Sequence, residues 1–137
     1  MLVYASDQGS PYHGEARALI ERLWAGPDLV HLFWPVILGY RRIVTHPGIL
    51  GRPPSAVEAD ANIRALLEPP HIRTPSEGDG FWAIFEQTAA APGTVGNHVP
   101  DAHLVALMRQ HGVRVIHTRD RDFRRYDGIE SRDPFAA

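Results

Sequence analysis

PDAHLVALMRQHGVRVIHTRDRDF, residues 100–123, is the stretch whose reading decides the fold. Pro100 suits the first turn of a helix, because its ring presets φ and its missing N–H is one that a helix start leaves unpaired anyway. Leu104, Val105 and Met108 recur at helical spacing and form an apolar stripe. Gly112 supplies the stop, since a glycine can turn left-handed and close the last carbonyls. Val113, Val115 and Ile116 follow at once as a strand. A helix that feeds a short apolar strand is half of a βαβ unit, and such units build parallel sheets covered by helices.

The same alternation extends outward. Leu2 to Ala5 reads as a short apolar strand, and Ala16, Leu19, Ile20, Leu23 and Trp24 as the stripe of an amphipathic helix. Gly26 and Pro27 end that helix, and Leu29 to Phe33 reads as the next strand. Pro35 opens a helix with Val36, Tyr40, Ile43 and Val44 on one face. Gly48 to Pro54 is a Gly/Pro connector. Ser55 and Glu58 then form a capping box for a helix carrying Ala59, Ile63, Leu66 and Leu67. Pro69 and Pro70 stop it, and His71 to Thr74 reads as an edge strand. Asp79 is the expected N-cap of a helix with Phe81, Ile84, Phe85 and Ala89, and a last strand is expected near Ile129. The fold class is therefore α/β, with the 137 residues forming one domain around a mostly parallel sheet.

Composition removes whole classes of chemistry. The chain has no cysteine, which excludes disulfides, thiolate metal sites and a cysteine nucleophile. All 14 basic residues are arginine, so a P-loop lysine and Schiff-base mechanisms are excluded as well. A net charge of −2 argues against a protein that coats nucleic acid, although it leaves room for a local basic patch. Apolar runs long enough to span a membrane and a signal peptide are both missing from the sequence, so a soluble cytoplasmic protein is expected.

Ligands of parallel α/β sheets bind beyond the carboxyl ends of the strands, and that is where the acids fall. Asp101 lies in the first turn of the Pro100 helix, on the side of its apolar stripe. It either caps backbone N–H groups or holds a cation. Asp120 and Asp122 follow the strand ending at His117, either as a solvated turn or as two further ligands. Three carboxylates suit a hard divalent ion that activates water and neutralises phosphate. Arg119, Arg121, Arg124 and Arg125 share that loop and match phosphate oxygens in geometry and charge. His98 and His103 flank Asp101, but zinc spacing is lacking, and core or surface placement is the expected role of each.

Taken in order, Leu2-Val3-Tyr4-Ala5, Ser10-Pro11-Tyr12-His13, Trp34-Pro35-Val36-Ile37-Leu38, Arg42-Ile43-Val44-Thr45-His46-Pro47, Asn97-His98-Val99-Pro100-Asp101-Ala102-His103-Leu104 and His117-Thr118-Arg119-Asp120-Arg121-Asp122-Phe123 resemble the PIN-domain ribonucleases of the VapC toxin family. The resemblance implies an α/β/α sandwich, RNA cleavage with Mg²⁺ or Mn²⁺ held by acids, a VapB-type antitoxin as partner, contact with operator DNA only through that antitoxin, and a homodimer. It implies that Asp101 is the family's third acid, Asp120 the fourth and Asp122 the extra acid that often follows. It also places Asn97 and Thr118 at polar positions lining the pocket, and Arg119 and Arg121 against RNA phosphates.

Two positions depart from the pattern. The family's first acid precedes the stretch equivalent to Met1–Ala5, in a run resembling D-x-N-x-L. This sequence begins after that point, so its first strand is expected to be shortened at the N-terminus. Asp7 comes too late to be that acid. The second acid belongs on the helix opened by Pro35, where Gly39 stands. The alternative to an active ribonuclease is a catalytically weak or inactive module that acts by binding its antitoxin.

Overall fold

Burial decides the N-terminal element against its local composition. In the computed structural model, which describes residues 1–49 and 55–136, Leu2–Ser6 is a helix, α1, and not the expected strand. Its turns are closed by Ala5 N–H donating to the Met1 carbonyl and Asp7 N–H to the Val3 carbonyl, both at 3.0 Å. A four-residue apolar run carries no periodicity that separates the two outcomes. The helix wins because it turns Leu2 into an apolar core while leaving Val3 to Ser6 half-buried.

Backbone contacts divide the chain into two compact units, one spanning Met1–Thr74 and one spanning Pro75–Ala136. In the first, α1 is followed by α2 (His13–Trp24), β1 (Val30–His31), α3 (Trp34–Val44), α4 (Ala56–Leu67) and β2 (Ile72–Arg73). β1 and β2 are parallel, with Val30 opposite Ile72 and His31 opposite Arg73. Leu2, Leu32, Ile37, Tyr40, Val44, Ala59 and Ile72 form the core. Polar ties fix the packing around it: the Ser6 and Tyr40 hydroxyls lie 2.6 Å apart, and Trp24 Nε1–H donates to the Leu66 carbonyl at 2.7 Å. The capping box at Ser55 forms, its Oγ accepting from Glu58 N–H at 3.1 Å. An open cavity of about 1140 Å³ lies in this unit, with Leu2, Ile20, Trp24 and Leu66 among its apolar walls and Asp7, Arg17 and Glu58 among its charged ones. Of the Gly48 to Pro54 connector, residues 50–54 lie outside the described residues.

The second unit runs α5 (Phe81–Ala89), a 3-10 turn (Gly96–His98), α6 (Val99–Gln110), β3 (Val115–His117), a second 3-10 turn (Arg121–Arg125) and β4 (Glu130–Arg132). β3 and β4 are parallel, in the register Val115–Glu130, Ile116–Ser131 and His117–Arg132. Ala102, Val105, Phe123 and Tyr126 are buried together, with Phe85, Leu104, Ile116 and Ile129 packed against them. The stop at Gly112 holds, with φ at 70°. The N-cap of α5 is Gly80 at φ 79°, not Asp79 as expected. Asp79 instead gives its backbone carbonyl to Gln110 Nε2–H on α6. Three neighbouring contacts lay the segment from Ser76 to Asp79 along that helix: Gly78 N–H with Gln110 Oε1, Glu77 with His103, and the Ser76 carbonyl with His111. Among the described residues no helix is long and apolar enough to cross a membrane.

Candidate metal and active site

The start of α6 and the loop after β3 meet in the second unit, and the meeting point is built from the core outward. Phe123 is buried against Ala102 and Val105 of α6, which anchors the 3-10 turn of Arg121–Arg125 beside the first turn of the helix. Thr118 Oγ accepts the Asp120 N–H at 3.0 Å, and Asp120 Oδ1 in turn accepts the Asp122 N–H at 2.9 Å. Two short side chains thus hold the backbone that carries Asp122, as Ser, Thr and Asp do where a helical turn begins. The Thr118 hydroxyl keeps its O–H to donate elsewhere.

Three ligand-type atoms converge there, one each from His98, Asp101 and Asp122, all within 4.8 Å of one another. His98 Nδ1 lies 3.7 Å from Asp122 Oδ2 and 4.0 Å from Asp101 Oδ2. Arg125 approaches the other Asp122 oxygen at 3.6 Å. Asp120 is not one of the three; its Oδ1 accepts the Asp122 N–H, and Asp101 feels its charge. Burial pushes the Asp101 carboxyl above its usual range, and the charges of Asp120 and Asp122 push it further, with His98 and Arg125 opposing. Burial and the two like charges both disfavour the Asp101 carboxylate, and a bound cation would favour it.

The other expected residues border this point. Asn97 is exposed in the 3-10 turn leading into α6. Arg121 is exposed on the second 3-10 turn, and the Arg119 guanidinium lies 5.9 Å over the Phe135 ring. The two histidines flanking Asp101 part company. His103 pairs with Glu77 and meets the Phe81 ring edge-on, whereas His98 faces the acids. The sequence reading assigned His98 a core or surface role and Arg125 a place among the phosphate-matching arginines, whereas both side chains approach Asp122. The available signal was spacing, since His98 and Asp101 stand three apart across a helix start and share a side. Gly39 of α3 has nothing within 4 Å of where a Cβ would stand, so packing does not demand a glycine there.

Known proteins resemble the chain along nearly its whole length. The PIN domain family matches residues 1–129. The chain is 50% identical over 136 residues to Ribonuclease VapC48 of Mycobacterium tuberculosis, a match covering 99% of this chain and 94% of that protein. It is 31% identical over 134 residues to VapC ribonuclease Mb2897 of Mycobacterium bovis, covering 98% of this chain and 90% of the relative. Ribonuclease VapC33 of M. tuberculosis is 28% identical over 134 residues, covering 98% and 93%.

Proposed function

The chain belongs to the PIN-domain family, among the VapC ribonuclease toxins, and on that premise we propose that it is a divalent-metal-dependent endoribonuclease paired with a VapB-type antitoxin. The observation that carries the reading is the convergence of Asp101 and Asp122 beside Asp120 at the start of α6. The donor set suits Mg²⁺ or Mn²⁺: carboxylate oxygens, one of them held above its ordinary pKa range by burial and then by neighbouring acids. A bound ion would polarise an attacking water and offset charge on the phosphoryl oxygens.

The chain's own residues divide the remaining work. Asp101 and Asp122 hold the ion. Asp120 fixes the turn that presents Asp122 and adds its charge to the site. Arg125 steadies Asp122 from the other side. Arg119 and Arg121 bind flanking phosphates, with Asn97 and Thr118 at the border of the site. Single-stranded regions of RNA are the substrate class, because unpaired backbone can be bent into a loop-built cleft. The cavity of the first unit, with mixed apolar and charged walls, suits an amphipathic helix of the antitoxin. Trp34 and Leu38, one turn apart and exposed on α3, suit a homodimer contact.

The test is cleavage of a single-stranded RNA with Mg²⁺, with Mn²⁺ and with EDTA. Cleavage should require a divalent ion and fall about a hundredfold or more in Asp101→Asn and in Asp122→Asn. Cleavage that survives EDTA, or that ignores both substitutions, overturns the assignment. A second reading has one observation in its favour: the resemblance puts the family's second acid at Gly39, a position with no side chain and with open space around it. On that reading the chain binds its antitoxin without cutting RNA, and the same assay then shows no cleavage with either ion.

A further inference from the structure

We propose that His98 is itself a metal-ligating residue of the acid site, and that it tunes the site toward first-row transition ions such as Mn²⁺ over Mg²⁺. The proposal rests on the metal-site reading above and goes beyond it in naming a nitrogen ligand and the ion class this ligand selects.

Geometry comes first. Ligand atoms about 2.1 Å from one ion, at angles from a right angle upward, stand roughly 3 to 4 Å apart. The His98 ring nitrogen is 3.7 Å from the Asp122 oxygen and 4.0 Å from the Asp101 oxygen, which is within that span or at its edge. The backbone fixes this approach. His98 ends the 3-10 turn of Gly96–His98 and is the N-cap of α6, so it lies three residues before Asp101 across one turn.

The ring also lacks the hydrogen-bonded tether that five other histidines have. His13, His71 and His111 each bond a backbone carbonyl, at Tyr4, Leu23 and Ser76. His103 bonds the Glu77 carboxylate, and His46 takes the Gly48 N–H. His98 makes no side-chain capping bond to its helix, and its side chain is 40% exposed, so neither capping nor core packing accounts for its orientation. Among the described residues, two carboxylates are what its Nδ1 faces.

Ligand chemistry then sets the ion. Mg²⁺ asks for oxygen donors in near-octahedral order and gains little from imidazole. Imidazole suits transition ions, whose affinity for a nitrogen-bearing site rises along the series that begins with Mn²⁺. One imidazole added to two carboxylates therefore widens the gap between Mn²⁺ and Mg²⁺.

The experiment uses the full chain, Mn²⁺ and Mg²⁺. Electron paramagnetic resonance of Mn²⁺ gives its affinity, competition gives that of Mg²⁺, and pulsed measurements on bound Mn²⁺ read nitrogen coupling from a coordinated imidazole. The variants are His98→Gln, which offers an oxygen in place of the nitrogen, and Asp101→Asn; metal-free melting curves check that each is folded. The wild type should show nitrogen coupling, and His98→Gln should lose it. Mn²⁺ affinity should fall at least about tenfold in His98→Gln, the low end of what disturbing even a ligand's supporting partners costs. Mg²⁺ affinity should fall less than about threefold, since a hard oxygen donor replaces the ring. Bound Mn²⁺ without nitrogen coupling, or equal losses for the two ions, overturns the role of His98. If Asp101→Asn still abolishes binding in that case, the acid site stands without its histidine. A wild type that binds neither ion at millimolar concentration overturns both.

Discussion

Asp101 is half-buried and adjacent to two like charges, and each circumstance disfavours its ionised form. The sign of the consequence follows from linkage. Its pKa in the folded protein is raised above the unfolded value, so folding favours the protonated acid, and stability is lost as pH rises through the carboxylate range toward the folded pKa. Asp60, Glu77 and Glu130 are held below their usual range, chiefly by hydrogen bonds from Arg41, His103 and Arg132, and they push the opposite way. A difference between two proteins isolates Asp101. Without metal, Asp101→Asn should be more stable than wild type near neutral pH, and the advantage should shrink as pH falls to about 4 and below. Urea unfolding across that range measures it; an advantage that does not vary with pH refutes the crowding. Millimolar Mg²⁺ or Mn²⁺ should raise the wild-type melting temperature and leave that of Asp101→Asn nearly unmoved, because an ion that binds only the native state stabilises it by mass action. At Gly39 the expectation is simpler. A Cβ meets nothing within 4 Å, and α3 is helical there, so Gly39→Ala should stabilise the fold by about 0.5–1 kcal/mol in the same unfolding measurement. Asp101 was legible from its place in the first turn of a helix. His98 was legible only in part: its spacing put it on the side of Asp101, but its other partner Asp122 lies on another element, and that closeness leaves no local trace.

Elements with reciprocal local signals were read correctly, and those decided by burial were not. The Ser55–Glu58 box announces α4 because Ser, three residues and Glu satisfy backbone donors within one turn. Ser55→Ala should cost about 1 kcal/mol, read as a lower urea midpoint. The Leu2–Ser6 run has no such signal, and its helical state depends on what Leu2 packs against. The cap of α5 was misplaced by one residue for a related reason. Asp79 is a good capping residue in general, but here its carbonyl serves Gln110, thirty-one positions away, and Gly80 takes the left-handed turn into the helix. Gln110 holds the segment before α5 twice, through Gly78 N–H at 2.9 Å and through the Asp79 carbonyl at 3.2 Å. Exposed hydrogen bonds of this kind contribute about 0.5–1.5 kcal/mol each. Gln110→Ala should therefore speed hydrogen exchange of the Gly78 amide about two- to tenfold while leaving the amides of α6 protected. Equal acceleration along α6 would mean that the segment and the helix open together.

At the scale of the whole molecule, alternation of helices with short strands gave the α/β class, because period and punctuation repeat along the chain. The division of contacts at Thr74 and Pro75 falls at the start of Pro75-Ser76-Glu77-Gly78-Asp79-Gly80, a Pro/Gly/polar run of linker-like composition, a signal that the reading of one domain left unused. Charge is distributed with similar economy. The net charge is −2, yet Arg119, Arg121, Arg124 and Arg125 fall within the loop that carries the acids. A protein of that balance attracts RNA through a patch and not through its overall field. Arg125 is engaged with Asp122 at 3.6 Å and with the Pro92 carbonyl at 3.4 Å, so its charge belongs to the site. Arg119 and Arg121 are exposed beside it and are the residues proposed to meet phosphates. Each phosphate neutralised on a single strand releases condensed counterions and contributes about 0.7 to the slope of log affinity against log salt. Replacing both arginines with alanine should therefore flatten that slope by about 1.4 and weaken binding at low salt. The measurement belongs in an Asp101→Asn background without divalent ions, where RNA is bound but not cut. Exposed charges of this kind add little to folding, so the melting temperature should barely move. A slope that stays unchanged while the protein remains folded would assign the phosphate contacts to other residues.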